Sequence, residues 1–154
     1  MNIAMQTLGI KEDITLLYTS YFAQLRNLPE NVIPISICGK APEWYNGLQY
    51  KKVAPKYGFF MEWKKNHDND YYIEHYNEEV LSKLNPRGVI DEIYNLLSDE
   101  AKDIIKQEGL YKTRSQKIHV ALICYEKPGD FCHRHLLAEW LTKTGFLCEE
   151  WSKP

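Results

Sequence analysis

No apolar run in this sequence approaches the roughly 20 residues that cross a bilayer. Its start, MNIAMQTLGIKEDI, carries no basic stretch followed by an apolar core and a cleavage site. Both absences predict a cytoplasmic protein with no membrane partner. Charge of one sign is missing too. A net charge of -2 gives no overall pull on a phosphate backbone, so nucleic acid would need a local patch to hold it. Cysteine is sparse and scattered, and Cys38, Cys124, Cys132 and Cys148 include no CxxC pair. In a cytosolic chain such cysteines are usually reduced and packed as small apolar residues, so no structural disulfide is expected. Internal repeats and low-complexity stretches are absent as well.

What remains is an ordinary globular composition, 26% charged and 44% hydrophobic, which argues against extensive disorder. At 154 residues two cores would each be marginal, and one domain over residues 1–154 is expected. Ile14 to Thr19 (ITLLYT) and Val32 to Cys38 (VIPISIC) are β-branched and aromatic runs that read as strands. YFAQLRNLPEN between them has room for about two helical turns before Pro29, which suits a crossover between parallel strands. GKAPEWYNG, around Trp44 and Tyr45, reads as an irregular loop.

From Pro55 the chain turns helical, and Asp70 to Leu84 carries a stripe of Tyr72, Ile73, Tyr76, Val80, Leu81 and Leu84 at helical period. Asn85 is a suitable N-cap for a second helix, with Pro86 at its first position and Val89, Ile90, Ile93, Tyr94 and Leu97 on its buried face. Ser98 can cap a third, short helix that Gly109 would end. Ile118 to Cys124 (IHVALIC) is almost continuously apolar, the pattern of a strand covered on both faces. Phe131 to Thr144 follows as a helix that Asp130 would cap and Gly145 would stop, and residues 146–151 (FLCEEW) read as a final strand. The fold class expected is α/β, a three-layer sandwich with a mostly parallel sheet of about four strands flanked by helices.

In such a sheet ligands bind beyond the C-terminal strand ends, and YEKPGDFCHR is a loop of that kind. The helix start that receives it favours an anion through unpaired N–H groups and the helix dipole. Cys132 beside His133 and Arg134 has the surroundings that lower a thiol pKa, which makes it a candidate nucleophile. A small apolar core role for Cys132, with His133 bracing the loop, fits the same residues. Arg134 is suited to clamp a carboxylate or phosphate with two parallel hydrogen bonds, or to pair with Glu126 and brace the loop; Glu126 is correspondingly a general base or a structural partner.

Cys124, Cys132, His133 and His135 are zinc-ligand types, but their spacing matches neither a paired-cysteine knuckle nor HxxxH, and no metal is expected. His119, within a strand, reads as structural. KKVAPKYGFFMEWKK, residues 51–65, interleaves lysines with Tyr57, Phe59, Phe60 and Trp63. That composition fits a surface that tracks phosphates and stacks bases, but it reads first as an amphipathic helix with its aromatic face in the core and its lysines in solvent. Trp140, Tyr72 and Tyr76 read as core.

The run LICYEKPGDFCHRHLLAEWL resembles the signature of domain of unknown function family 488 (DUF488), in which a strand leads to Cys, a nearby Glu, and a Cys-His-Arg triplet opening a helix. The matching positions are Cys124, Glu126, Cys132, His133 and Arg134. LYTSYFAQLR, PISICGKAPEWYNG and VAPKYG extend the resemblance. Many members carry Gly-His-Ser after the first strand and Asp-Val-Arg after the second, where this chain has Tyr18, Thr19 and Ser20, then Ser36, Ile37 and Cys38. It therefore resembles a divergent branch, with Ser20 aligned to the family serine. The resemblance implies a compact α/β domain and no known cofactor.

The combined expectation is a crevice lined by Ser20, Trp44 and the 39–47 loop, and the Cys124 to Arg134 loop, binding a small anionic or nucleotide-like ligand. As an enzyme, the chain would use Cys132 or Glu126 as reacting group, His133 as acid or base, and Arg134, Ser20, Cys124 and Trp44 as ligand contacts. As a non-catalytic module, it would use the lysine-aromatic segment to hold nucleic acid or protein.

Overall fold

In a computed structural model, residues 17–108, 118–127 and 129–153 are described. The strands are β1 (Leu17–Tyr21), β2 (Val32–Ser36), β3 (Leu48–Gln49), β4 (His119–Cys124) and β5 (Cys148–Glu150). The α-helices are α1 (Tyr57–Asn66), α2 (Asn69–Glu79), α3 (Pro86–Asn95), α4 (Asp99–Glu108) and α5 (His133–Lys143). All strand pairs are parallel, in the order β3-β2-β4-β1-β5. The α/β class holds, with five strands where about four were expected.

β4 lies at the centre, and all six of its residues are buried. That is why its sequence is apolar without alternation: the strand is covered on both faces. Its neighbours run in register, Tyr21 beside Cys124 on one side and Ser36 beside Ile123 on the other. Parallel register aligns the C-terminal strand ends, so the loops after β2 and β4 leave the same edge of the sheet.

The helix caps follow the local chemistry. Asn85 Oδ1 accepts from the Gly88 amide at 3.0 Å with Pro86 at the first helical position, and Ser98 Oγ accepts from the Ala101 amide at 3.2 Å. Gly145 stops α5 with φ 101°, a conformation that a side chain would strain. Three expectations are corrected. The helix expected over 70–84 is α2, capped by Asp68 through the Tyr71 amide, followed by a separate 3-10 turn at Leu81–Lys83. Asp130 does not cap α5; the helix starts two residues later than expected and Cys132 occupies the cap, with no side-chain hydrogen bond. The segment after β1 is a 3-10 helix, Phe22–Asn27, since no side chain caps it and Pro29 leaves little room. Residues 14–16 of the expected first strand, and Gly109, lie outside the described residues.

β3 was not legible in the sequence. It makes two register pairs with β2, Ile35 with Leu48 and Ser36 with Gln49. Tyr45 anchors it by donating its hydroxyl to the Leu48 carbonyl at 2.7 Å. The Tyr45 ring occupies the space above Gly47, where an added Cβ would lie 2.5 Å from the hydroxyl oxygen. Gly47→Ala must therefore displace Tyr45 from a buried position, at a cost of about 1–3 kcal/mol. Urea unfolding checks this, and a midpoint equal to that of the unmodified protein would contradict it.

Candidate active site

A cavity of about 710 Å3 opens at the C-terminal edge of the sheet. The loop after β2 contributes Cys38, Gly39 and Lys40, and the loop after β4 contributes Tyr125 and Glu126. Phe131, Cys132 and His133 close it at the start of α5, and α1 and α2 supply its aromatic wall. The two loops are tied together, because the Tyr125 hydroxyl donates to the Lys40 carbonyl at 2.7 Å.

The wall is made by the α1 face that the sequence left open between core and stacking surface. Phe59 goes into the core, while Phe60, Met61 and Trp63 line the cavity. Tyr57, 77% exposed, stands at the mouth. Trp63 packs on Phe131 at 5.5 Å and on Tyr72 at 5.4 Å between ring centres, and Tyr72 meets Phe131 edge-on at 4.9 Å. Lys64 lies over the Phe60 ring at 5.1 Å. Tyr76, the next residue along the α2 face, is fully buried and donates its hydroxyl to the Val53 carbonyl at 2.6 Å.

At the floor, Cys124 and Cys132 are joined by a disulfide, S–S 2.11 Å, across a sequence separation of 8. This corrects the expectation of four free thiols. The spacing gives no local signal; the strand end and the helix cap meet because the loop between them folds back over the sheet edge. Cys132 lines the cavity, and Cys124 is fully buried. Cys124 Sγ lies 3.3 Å from Arg134 Nη1 and 3.7 Å from Glu126 Oε2. Cys124, Cys132 and a ring nitrogen of His133 come within 4.8 Å of one another, whereas His135 is exposed and outside this group.

Arg134 is fully buried. Its guanidinium donates from Nε to Glu150 Oε1 at 3.0 Å and from Nη2 to Glu150 Oε2 at 2.9 Å, a bidentate pair, and from Nη1 to the Glu126 carbonyl. The Thr19 hydroxyl donates to the same Glu150 oxygen at 2.7 Å. Arg134 thus braces the loop, with Glu150 rather than the Glu126 side chain as its ion partner. Glu150 was missed because β5 and α5 meet only through the fold.

His133 is buried, and its Nε2 is 2.8 Å from the Ile37 carbonyl oxygen. The carbonyl needs a donor, so Nε2 carries the proton and Nδ1 the lone pair. Burial, helped by the Arg134 charge, pulls its pKa down to about 4. At neutral pH the ring is uncharged and supplies no imidazolium to Cys132. Two other thiols are held protonated: burial pushes Cys38, at the cavity, and Cys148 up to about 12 each.

Two expected contacts stand elsewhere. Trp44 is 62% exposed and packs edge-on against Phe22 and Tyr45, away from the cavity lining. Ser20 is fully buried on β1 beside Ile123, and its hydroxyl has no hydrogen-bond partner among the described residues. His119 is buried against Tyr18 at 5.1 Å, a structural position. Among the described residues no helix is long and apolar enough to cross a membrane.

No curated protein and no solved structure matches the chain. Residues 21–145, well over half of its length, match a family model described as the active DUF488-N3 subclade, a span running from the end of β1 past α5 and including every residue at the cavity floor. By that match the chain belongs to the DUF488-N3a family.

Proposed function

We propose that the crevice is the active site of a small cytoplasmic enzyme that takes a planar, negatively charged substrate of nucleotide-like chemistry. The observation that carries this reading is the cavity itself: about 710 Å3, within the size range of small-molecule sites, at the C-terminal edge of a parallel sheet. Its aromatic wall supplies faces on which a base can stack, and Lys40 and Lys64 supply positive charge for a phosphate. Cys132, His133 and Glu126 are the reactive side chains that line it. The family description as an active subclade supports catalysis over passive binding.

Within this reading Cys132, once reduced, is the nucleophile. It caps an 11-residue helix whose dipole favours a thiolate there. His133, neutral, orients the helix start through Ile37 and offers Nδ1 as an acceptor. Glu126 is the proton acceptor.

Titration of nucleoside monophosphates against tryptophan fluorescence tests the substrate class, since Trp63 lies in the wall. Binding is expected to quench it, and Lys40→Ala combined with Lys64→Ala is expected to weaken a nucleotide about tenfold while leaving the uncharged nucleoside unchanged, as loss of charge-assisted contacts requires. Nucleotide affinity unchanged in the variant, or equal affinity of the unmodified protein for nucleotide and nucleoside, would sink the nucleotide reading. Binding confined to oligonucleotides and lost steeply with salt would replace it with a nucleic-acid module.

A further inference from the structure

We propose that Cys124 and Cys132 are a reversible dithiol–disulfide couple that exchanges with small thiols and disulfides admitted through the crevice. The proposal rests on the two sulfurs and their neighbours, and stands or falls apart from the nucleotide reading.

The two sulfurs are unequal in the way exchange needs. Cys132 lines the cavity, so an incoming sulfur can reach it, while Cys124 is fully buried and reachable only through Cys132. The buried sulfur is the one provided for as a leaving group. Arg134 Nη1, 3.3 Å away, stabilises a thiolate on Cys124, and the Glu126 carboxylate at 3.7 Å can take or return its proton. Exchange accelerates as the leaving thiol becomes more acidic. The other two cysteines, Cys38 and Cys148, are unbonded, and among the described residues neither sulfur has a hydrogen bond from a cationic side chain. Disulfides of reducing compartments are usually transient, catalytic or redox-sensing, and the cytoplasmic setting proposed above puts this one among them.

In the reducing direction a thiolate RS⁻ attacks Cys132 Sγ in line with the S–S bond. That bond breaks, its electron pair goes to Cys124, and the new thiolate is held by Arg134 and protonated through Glu126. The mixed disulfide Cys132–S–S–R is attacked at the R sulfur by a second thiolate, releasing RSSR and the Cys132 thiolate. The sum is two RSH plus the protein disulfide giving RSSR plus two protein thiols, a two-electron exchange in which both protons come from the incoming thiols. In the oxidising direction Cys132 attacks RSSR, and Cys124, having passed its proton to Glu126, resolves the mixed disulfide.

The folded protein is equilibrated with glutathione and glutathione disulfide at a series of ratios, acid-quenched, alkylated and mapped by mass spectrometry. The Cys124–Cys132 disulfide fraction is expected to follow the ratio with the chain still folded by circular dichroism. Cys124→Ser is expected to collect glutathione on Cys132 at least about tenfold faster than on Cys38 or Cys148, because no resolving thiol remains. Cys132→Ser should collect none on Cys124. A disulfide that is reduced no faster than the protein unfolds in urea would make it structural and overturn the proposal. So would glutathione on Cys38 or Cys148 in preference to Cys132. If Cys124→Ser does not fold, the wild-type reduction rate, compared with the unfolding rate, decides alone. Nucleotide titrations in both redox states report separately on the ligand reading.

Discussion

Arg134→Ala is expected to lower the free energy of unfolding by about 3–5 kcal/mol, the range for breaking a buried ion pair by removing one partner. The guanidinium is fully buried and serves three groups at once: both oxygens of Glu150, the Glu126 carbonyl and the Cys124 sulfur. Removing it leaves the Glu150 carboxylate, only 25% exposed, with Thr19 as its remaining donor among those bonds, and opens a void of a large side chain under Tyr21. Arg134→Lys should recover only part of the loss, because an ammonium cannot donate two parallel bonds to a carboxylate. Glu150→Gln is the informative partner: it strands a buried positive charge, so its cost should equal or exceed that of Arg134→Ala. Arg134→Met with Glu150→Leu removes both charges and should cost much less than the two single changes summed. Urea midpoints with unchanged slopes check the set, all in one redox state. A loss below about 1 kcal/mol for Arg134→Ala would mean that the pair braces nothing.

This network explains how far the sequence could be read. IHVALIC gives β4 because a strand buried on both faces is apolar at successive positions, here Val120 to Cys124, and Asn85-Pro86 gives the start of α3 because both residues act locally. The Cys-His-Arg triplet marked the right helix start for the same reason. Its partners were hidden by distance along the chain: Glu150 is 16 residues from Arg134, and Ile37 is 96 from His133. Glu126 was the acid expected to pair with Arg134, and its backbone, not its carboxylate, meets the guanidinium. β3 was missed since two residues carry no periodicity, and its register comes from the Tyr45 anchor.

The aromatic wall shows a different limit. Phe59, Phe60 and Trp63 fall on neighbouring faces of one helix turn, and whether a face meets core or cavity depends on what packs opposite. Here Tyr72 and Phe131 hold Trp63 at the rim between the two. Ser20 stands as the reverse case. Aligned with a family serine, it is fully buried beside its register partner Ile123, and strand alternation points its side chain to the sheet face opposite to that of Tyr21 and Cys124, outside the cavity lining.

Lowering the pH from 6.5 to 4 is expected to remove about 3 kcal/mol of stability through His133 alone. In the unfolded chain a histidine titrates near 6.5, whereas in the folded protein burial holds His133 at about 4. Between these values the unfolded state binds a proton that the native state refuses, so stability rises with pH across the window and is fully present above about 6.5. The separation of about 2.5 units, at about 1.36 kcal/mol each, gives the magnitude. Carboxylates such as Glu150 add their own loss on the acid side, so the comparison needs a reference. His133→Gln can still donate to the Ile37 carbonyl but cannot titrate, and the difference between the two stability curves isolates the ring. That difference should slope through pH 4–6.5 and be flat above it. A flat difference throughout would show that His133 titrates alike in the folded and unfolded chains, near 6.5, so that burial does not hold it neutral. In that case Cys132 would have an imidazolium beside it below about pH 6.5, and its thiolate would no longer depend on the helix start alone.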